Sequence, residues 1–177
     1  VINALSEKSH PCQTLADLIT LYEKFKKLDL KISWFGDLNN VLFSLVEAAN
    51  LLEHLQINIF THPKISRQNN WNFRDNVKIY DKLDKNIISQ SDCIMTDVFV
   101  SMNDKKEEEK ISLLSDFQVN SHIMGITNKN CVFMHCLPAK VGIEVTKDVI
   151  GSSRSIVWRQ AYNRLPAQKR LMQCINW

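Results

Sequence analysis

The chain has 177 residues, 45% of them hydrophobic and 23% charged, which is enough for one ordinary domain with its own core and unlike a disordered tail. A net charge of +3, dispersed along the sequence, argues against a nucleic-acid surface and suits anionic small molecules. Five cysteines at irregular spacing point to free thiols in a reducing compartment, the cytoplasm by default, and no apolar run reaches membrane-spanning length.

The opening residues Asn3, Ser6, Glu7 and Lys8 do not form a signal peptide, and a chain that begins at Val1 is expected to have lost something upstream. Residues 12–27 are expected to be helical, with Leu15, Leu18, Ile19, Tyr22 and Phe25 on the buried face and Pro11 in the first turn. A strand over 31–35 ends in Gly36 and Asp37. Val41, Leu42, Leu45, Val46, Ala49 and Leu52 then make a second amphipathic helix that begins near Asn39 and Asn40. Further strands are expected over 57–61, 77–80, 93–96 and 132–135, with helices over 82–90, 105–114 and 160–177. In the last helix Ala161, Leu165, Leu171 and Ile175 mark the apolar face, and the helix extends past the sheet. The Asn-rich stretch 63–76 carries no clear pattern. Strands alternating with helices predict an α/β fold, a doubly wound parallel sheet covered on both faces. Only Gly36 lies near a strand-to-helix turn and no Gly-x-Gly-x-x-Gly follows it, so no dinucleotide cofactor is expected.

Chemistry is expected outside the carboxyl ends of the strands. Val132, Phe133, Met134 and His135 deliver Cys136 to such an end, and Pro138 then stops regular pairing. A buried structural thiol is the competing reading. His135 and Cys136 are adjacent, so strand alternation would turn them to opposite faces, and no Cys-x-x-Cys occurs; no metal site is expected. Three other segments can converge on the same crevice: 10–13 at a helix start, Asn39 with Asn40, and 97–102. Asp97 could receive a substrate ammonium or cap a helix, and Asp104 with Glu107 forms a capping-box pattern after Ser101 and Met102. The run 105–110 reads as a solvated helix face. His54, His62 and His122 show no partner pattern, and the four tryptophans are expected to be packing.

Together these segments resemble a known family. His10-Pro11-Cys12-Gln13-Thr14-Leu15-Ala16-Asp17, Gly36-Asp37-Leu38-Asn39-Asn40, Thr96-Asp97-Val98-Phe99-Val100-Ser101-Met102, His135-Cys136-Leu137-Pro138, Glu144-Val145-Thr146 and Ala161-Tyr162-Asn163-Arg164 occur in the order and approximate spacing of ornithine carbamoyltransferase. The resemblance implies carbamoyl transfer from carbamoyl phosphate to the side-chain amine of L-ornithine, giving citrulline and phosphate without a cofactor. It implies that residues 1–28 form an interdomain helix region and 29–177 the ornithine-binding domain, with the family's carbamoyl-phosphate domain lacking here. By the same resemblance His10, Pro11, Cys12, Gln13, Cys136, Leu137 and Arg164 would hold carbamoyl phosphate, Asn40, Asp97, Ser101 and Met102 would hold ornithine, and Cys136 would assist deprotonation of the amine. A homotrimer is expected of the full-length enzyme. The alternatives are a non-catalytic amino-acid-binding or partner-binding domain and, more weakly, a carbamoyltransferase for a related amine such as putrescine.

Overall fold

The computed structural model describes residues 2–67, 70–100 and 107–175. Five strands, β1 (Lys31–Phe35), β2 (Gln56–Phe60), β3 (Val77–Tyr80), β4 (Cys93–Thr96) and β5 (Val132–His135), form a parallel sheet in the order β3-β2-β1-β4-β5. The helices are α1 (Pro11–Phe25), α2 (Asn40–Leu51), α3 (Pro63–Ser66), α4 (Lys85–Ser89), α5 (Glu107–Leu114), α6 (Ser121–Ile126), α7 (Lys147–Ile150) and α8 (Val157–Cys174). The expected doubly wound α/β architecture is present.

Both faces of the sheet are buried, which is why its strands read as nearly unbroken apolar runs. Ile32, Trp34, Ile57, Ile59, Met95 and Met134 pack with Leu21 of α1 and Val41, Leu42 and Leu45 of α2. Phe35, Phe60, Ile94 and Phe133 form the other face with Ile88 of α4, Leu114 of α5 and Ile123 of α6. Asn39 starts α2 because its side chain accepts from the Val41 and Leu42 amides, both at 3.1 Å.

Several local expectations differ from the structure. β2 starts and ends one residue earlier than its apolar run, α4 begins at Lys85, and α8 begins at Val157. The short helices α3, α6 and α7 had no periodic signal, as expected of elements of six residues or fewer. In the stretch left unassigned, Trp71 packs edge-on against Phe43 with ring centroids 5.0 Å apart, and Trp71 and Phe73 cover the α2 side of the core.

The larger correction concerns α1 and α8. Leu15, Ile19 and Tyr22 are exposed, and α1 instead buries Gln13, Thr14, Ala16, Asp17, Thr20 and Leu21; Leu18 and Phe25 are half-buried. Likewise α8 buries Val157, Gln160, Asn163 and Ala167, while Ala161 and Leu165 face outward and Leu171 and Ile175 are half-buried. Trp158 is 74% exposed and so is not core packing. The reason is a polar seam between the two helices. Gln13 meets Arg164, Asp17 meets Gln160, Thr20 meets Asn163 and Glu23 meets Arg159. Gln13, Asp17, Thr20 and Glu23 of α1 thus face residues 159–164 of α8. Buried Gln13, Asp17, Thr20, Gln160 and Asn163 are tolerated because each finds a partner across the seam. Proline lies inside α8 at Pro166, on its exposed side.

Gly36 closes β1 with φ of 117°, and a Cβ there would stand 2.6 Å from Phe99 Cε1. Gly36→Ala should therefore destabilise the fold by about 1–3 kcal/mol. Urea unfolding at fixed temperature measures this; an unchanged midpoint would mean that Phe99 does not hold the turn.

Candidate functional site at the sheet switch point

The strand order reverses between β1 and β4, where the chain leaves one edge and returns to the other side of β1. Such a switch point opens a crevice at the carboxyl ends of the strands. Several contacts shape it. Thr96 Oγ1 donates to Phe35 O at 2.6 Å, and Trp34 Nε1 donates to Asp37 O at 2.9 Å. Asp37 also pairs with Lys110 at 2.7 Å, so one member of the charge run expected to be merely solvated reaches the crevice mouth.

Asp97 and Cys136 leave the ends of the neighbouring strands β4 and β5. Cys136 Sγ donates to Asp97 Oδ1 at 2.7 Å, and Asn39 Nδ2 donates to Asp97 Oδ2 at 2.7 Å. Burial, then the Asp97 carboxylate, pushes the Cys136 thiol well above its usual range. Cys136 is therefore a protonated donor in this contact. Asn40 takes a different place from Asn39: its Nδ2 donates to Ser6 O at 2.8 Å.

The turn after β5 is held from beneath. Leu137 is a non-glycine residue at φ of 54°, and its N–H donates to His135 Nδ1 at 2.9 Å. That contact fixes the tautomer, so His135 Nε2 carries the proton and donates to Glu144 Oε1 at 3.1 Å. Glu144 Oε1 also accepts from Lys140 N at 2.5 Å. Strand alternation predicted that His135 and Cys136 would face apart. Cys136 instead lies beyond the end of β5, and the donor atoms of Asp97, His135 and Cys136 all fall within 4.8 Å of one another. Both imidazole nitrogens and the thiol proton are already committed, so the donor set forms a hydrogen-bond network and does not fit a metal ion.

The start of α1 forms the third wall. Pro11 occupies the first helical turn, His10 N donates to Ser44 Oγ at 2.8 Å, and Cys12 is buried with Sγ 3.8 Å from Asn3 O. His10 Nδ1 lies 2.7 Å from Ala4 O, which can only accept, so the neutral ring keeps its proton on Nδ1 and leaves Nε2 as an acceptor. Burial lowers the His10 pKa below the usual imidazole range, opposed in part by that Ala4 contact and reinforced by Arg164. Arg164 Nη1 donates to Gln13 Oε1 at 2.6 Å. Gln13 Nε2 continues to Asp17 Oδ1 at 2.8 Å, where Gln160 Nε2 also donates at 2.7 Å. Asp17 is fully buried, and desolvation raises its pKa to about 7 despite both amide donors.

The structure thus sets His10, Gln13 and Arg164 on one wall and Asp97 and Cys136 on the other, with Pro11 in the first turn of α1, while the Cys12 side chain turns to Asn3 O and Leu137 packs into the core on the other sheet face. Ser101 and Met102 lie outside the described residues, as does Asp104 of the capping-box pattern. Residue reasoning missed Asn39 as the direct partner of Asp97, and Asp17 and Gln160 as the link between helices. The signal for Asp17 was a carboxylate on the same helix face as Gln13, masked by the apolar residues beside it.

With this geometry in view, the comparisons with known proteins are specific. A profile of the aspartate/ornithine carbamoyltransferase Asp/Orn-binding domain matches residues 28–175. The chain belongs to this family. An ornithine carbamoyltransferase of Rhodopseudomonas palustris is 41% identical over 177 residues, covering 97% of this chain and 57% of that protein. The ornithine carbamoyltransferase structure from Burkholderia thailandensis superposes with a TM-score of 0.84 at 33% identity, over 98% of this chain and 57% of its own. The Pyrococcus furiosus structure gives 0.83 at 35% identity, over 99% and 59%. The chain therefore spans little more than half the length of these relatives. Among the described residues no helix is long and apolar enough to cross a membrane.

Two outcomes follow from the electrostatics. Asp97→Asn should lower the Cys136 pKa toward that of an ordinary thiol, moving the pH midpoint of its alkylation by iodoacetamide downward; an unmoved midpoint would exclude Asp97 as a cause. Because the folded-state pKa of Asp17 lies above its unfolded value of 3.8, the folded state binds the extra proton. Stability should fall as pH rises from about 4 to about 7, by at most a few kcal/mol. Thermal unfolding across that range should show the slope in the parent chain and a flatter one in Asp17→Asn.

Proposed function

We propose that residues 29–177 form the ornithine-binding domain of an ornithine carbamoyltransferase and that residues 1–28 bring the His-Pro-Cys-Gln segment to it. The reaction is carbamoyl transfer from carbamoyl phosphate to the side-chain amine of L-ornithine, giving L-citrulline and phosphate. Ornithine's ammonium first loses a proton, the amine attacks the carbamoyl carbon, and the bond to the phosphate oxygen breaks with its electron pair leaving on phosphate. The nitrogen then sheds its second proton.

The observation that best supports this reading is the Asp97 carboxylate held between Asn39 and the Cys136 thiol at the switch point. It offers a charged acceptor for an ammonium, and Cys136 lies against it. While Asp97 is uncompensated the thiol stays protonated; an ammonium docking on Asp97 offsets the charge and eases thiolate formation. On the opposite wall, Arg164 supplies a cation for developing charge on the carbamoyl and phosphate oxygens, and Gln13 with the acceptor side of His10 addresses the carbamoyl amide. Pro11, Cys12 and the Leu137 backbone complete the carbamoyl-phosphate side; Asn40, Ser101 and Met102 are assigned to ornithine with Asp97. Without the relatives' remaining length the chain is expected to be inactive alone, and a cytoplasmic homotrimer belongs to the full-length enzyme.

A second reading, a non-catalytic amino-acid-binding domain, is favoured by the Asp97 network itself, whose partners Asn39 and Cys136 hold the carboxylate in place with no phosphate-binding group involved. Both readings expect ornithine binding without turnover by the chain alone, so one experiment tests what they share, and turnover would exclude the second. The purified chain should bind L-ornithine by calorimetry, with affinity falling about tenfold or more in Asp97→Asn, and it should form no citrulline above a Cys136→Ala control when carbamoyl phosphate is added. Citrulline above that control would make the chain a complete enzyme, and a folded chain with no ornithine binding would defeat the proposal. Tighter binding of putrescine than of ornithine would move the substrate to a simple diamine.

A further inference from the structure

The seam between α1 and α8 contains a continuous hydrogen-bond chain with a fixed direction. Arg164 Nη1 donates to Gln13 Oε1, Gln13 Nε2 to Asp17 Oδ1, Gln160 Nε2 to the same oxygen, and the His135 amide to Gln160 Oε1 at 2.9 Å. Guanidinium and backbone amide can only donate. They stand at the two ends, so each glutamine must turn its oxygen outward and its nitrogen inward. The centre must then be an acceptor for both, and Asp17 Oδ1 is that acceptor. Asp17 and Gln160 are fully buried and Gln13 is nearly so, which leaves no water to substitute for a lost partner. The other carboxylate oxygen, Oδ2, has no partner, so the arrangement survives protonation there.

We propose that Asp17 and Gln160 are positioning residues that hold the two walls of the crevice in register, Asp17 by orienting the Gln13 amide and Gln160 by tying the backbone directly before Cys136 to α1. Neither touches the reacting groups in this assignment. Calling the walls substrate-binding rests on the proposed function, but the coupling between them does not. Asp17 acts through Gln13 on one side, where Arg164 is also held. Gln160 acts on the other side through His135, whose main chain enters the Cys136 turn. Loss of either amide contact should loosen that turn while leaving the sheet intact.

The charged and titratable groups around Asp17 are Arg164 on α8, Asp97 after β4, Cys93 on β4 and Cys136 after β5. A glutamate at position 160 would place a second acceptor against Asp17 Oδ1, and the two carboxyls could meet only by sharing a proton. Asp17→Asn beside Gln160→Glu supplies both polarities while keeping one carboxylate in the seam: the amide oxygen accepts from Gln13 Nε2, and the amide nitrogen, in the place of the unpartnered Oδ2, donates to the new carboxylate. These substitutions hardly change volume, so they separate hydrogen-bond polarity from packing.

The test is site-resolved alkylation of the whole chain with iodoacetamide, read by peptide mass spectrometry as the rate at Cys136 relative to the parent chain at each pH. Cys93 and Cys131 are buried and report on whether the fold opens. In Gln160→Glu the relative rate at Cys136 should rise from near parity at about pH 7 to about tenfold at about pH 9.5, with Cys93 and Cys131 unchanged. Asp17→Asn combined with Gln160→Glu should bring it back to parity across the range. A pH-independent ratio, a rise shared with Cys93 and Cys131, or a double variant no better than Gln160→Glu would overturn the assignment. None of these readings requires ornithine binding or citrulline formation, so failure here is distinct from failure of the proposed function.

Discussion

The placement of β4 directly beside β1 is the constraint on which the crevice depends. It is secured by a ladder from Ile32 and Cys93 to Phe35 and Thr96, and by the Thr96 hydroxyl on the Phe35 carbonyl. The connections on either side of this junction run in opposite directions, which opens a crevice above it. The ends of β1, β4 and β5 then contribute Asn39, Asp97 and Cys136 to one small volume. Gly36 permits the turn at the head of β1 because Phe99 occupies the space a side chain would need. A residue without a side chain thus helps to set the position of the Asp97 carboxylate, which follows β4 two residues before Phe99.

Around that crevice two carboxyl groups behave differently because their surroundings differ. Asp97 accepts from an amide and a thiol at opposite oxygens and raises the thiol's pKa. Asp17 lies deeper, accepts twice at one oxygen, and is itself raised by desolvation. Arg164 lowers the pKa of both Asp17 and His10 through its charge. The result is a site in which a cation arriving at Asp97 would change the protonation balance of Cys136, while the deeper network keeps its geometry.

The polar seam also explains why α1 and α8 look inside out. A helix usually buries its apolar stripe, but here the side turned inward carries amides, the Thr20 hydroxyl and a carboxylate that meet across the pair. Leu15, Ile19 and Tyr22 on α1 and Trp158, Tyr162 and Leu165 on α8 are left exposed in the isolated chain. Periodicity identifies that a helix is amphipathic; it does not say which of two faces a partner helix will choose.

From the residues alone came the alternation of strands and helices, the presentation of Cys136 after a buried strand, and the crevice-facing segments at 10–13, 39–40 and 97. These were legible because burial on both sheet faces demands continuous apolar strands, and because loops after such strands carry the polar residues. The same pattern could not show that Asn39 rather than Asn40 grips Asp97, since capping geometry turns one side chain inward and its neighbour away. Nor could it show Asp17, Gln160 and Arg164 as one chain of contacts: Asp17 lies far in sequence from the other two, and the hydrogen bonds exist only once α8 packs against α1. The positions of the strands and the local chemistry at their ends were written in the sequence; which polar groups meet, and hence which protons they hold, was decided by tertiary packing.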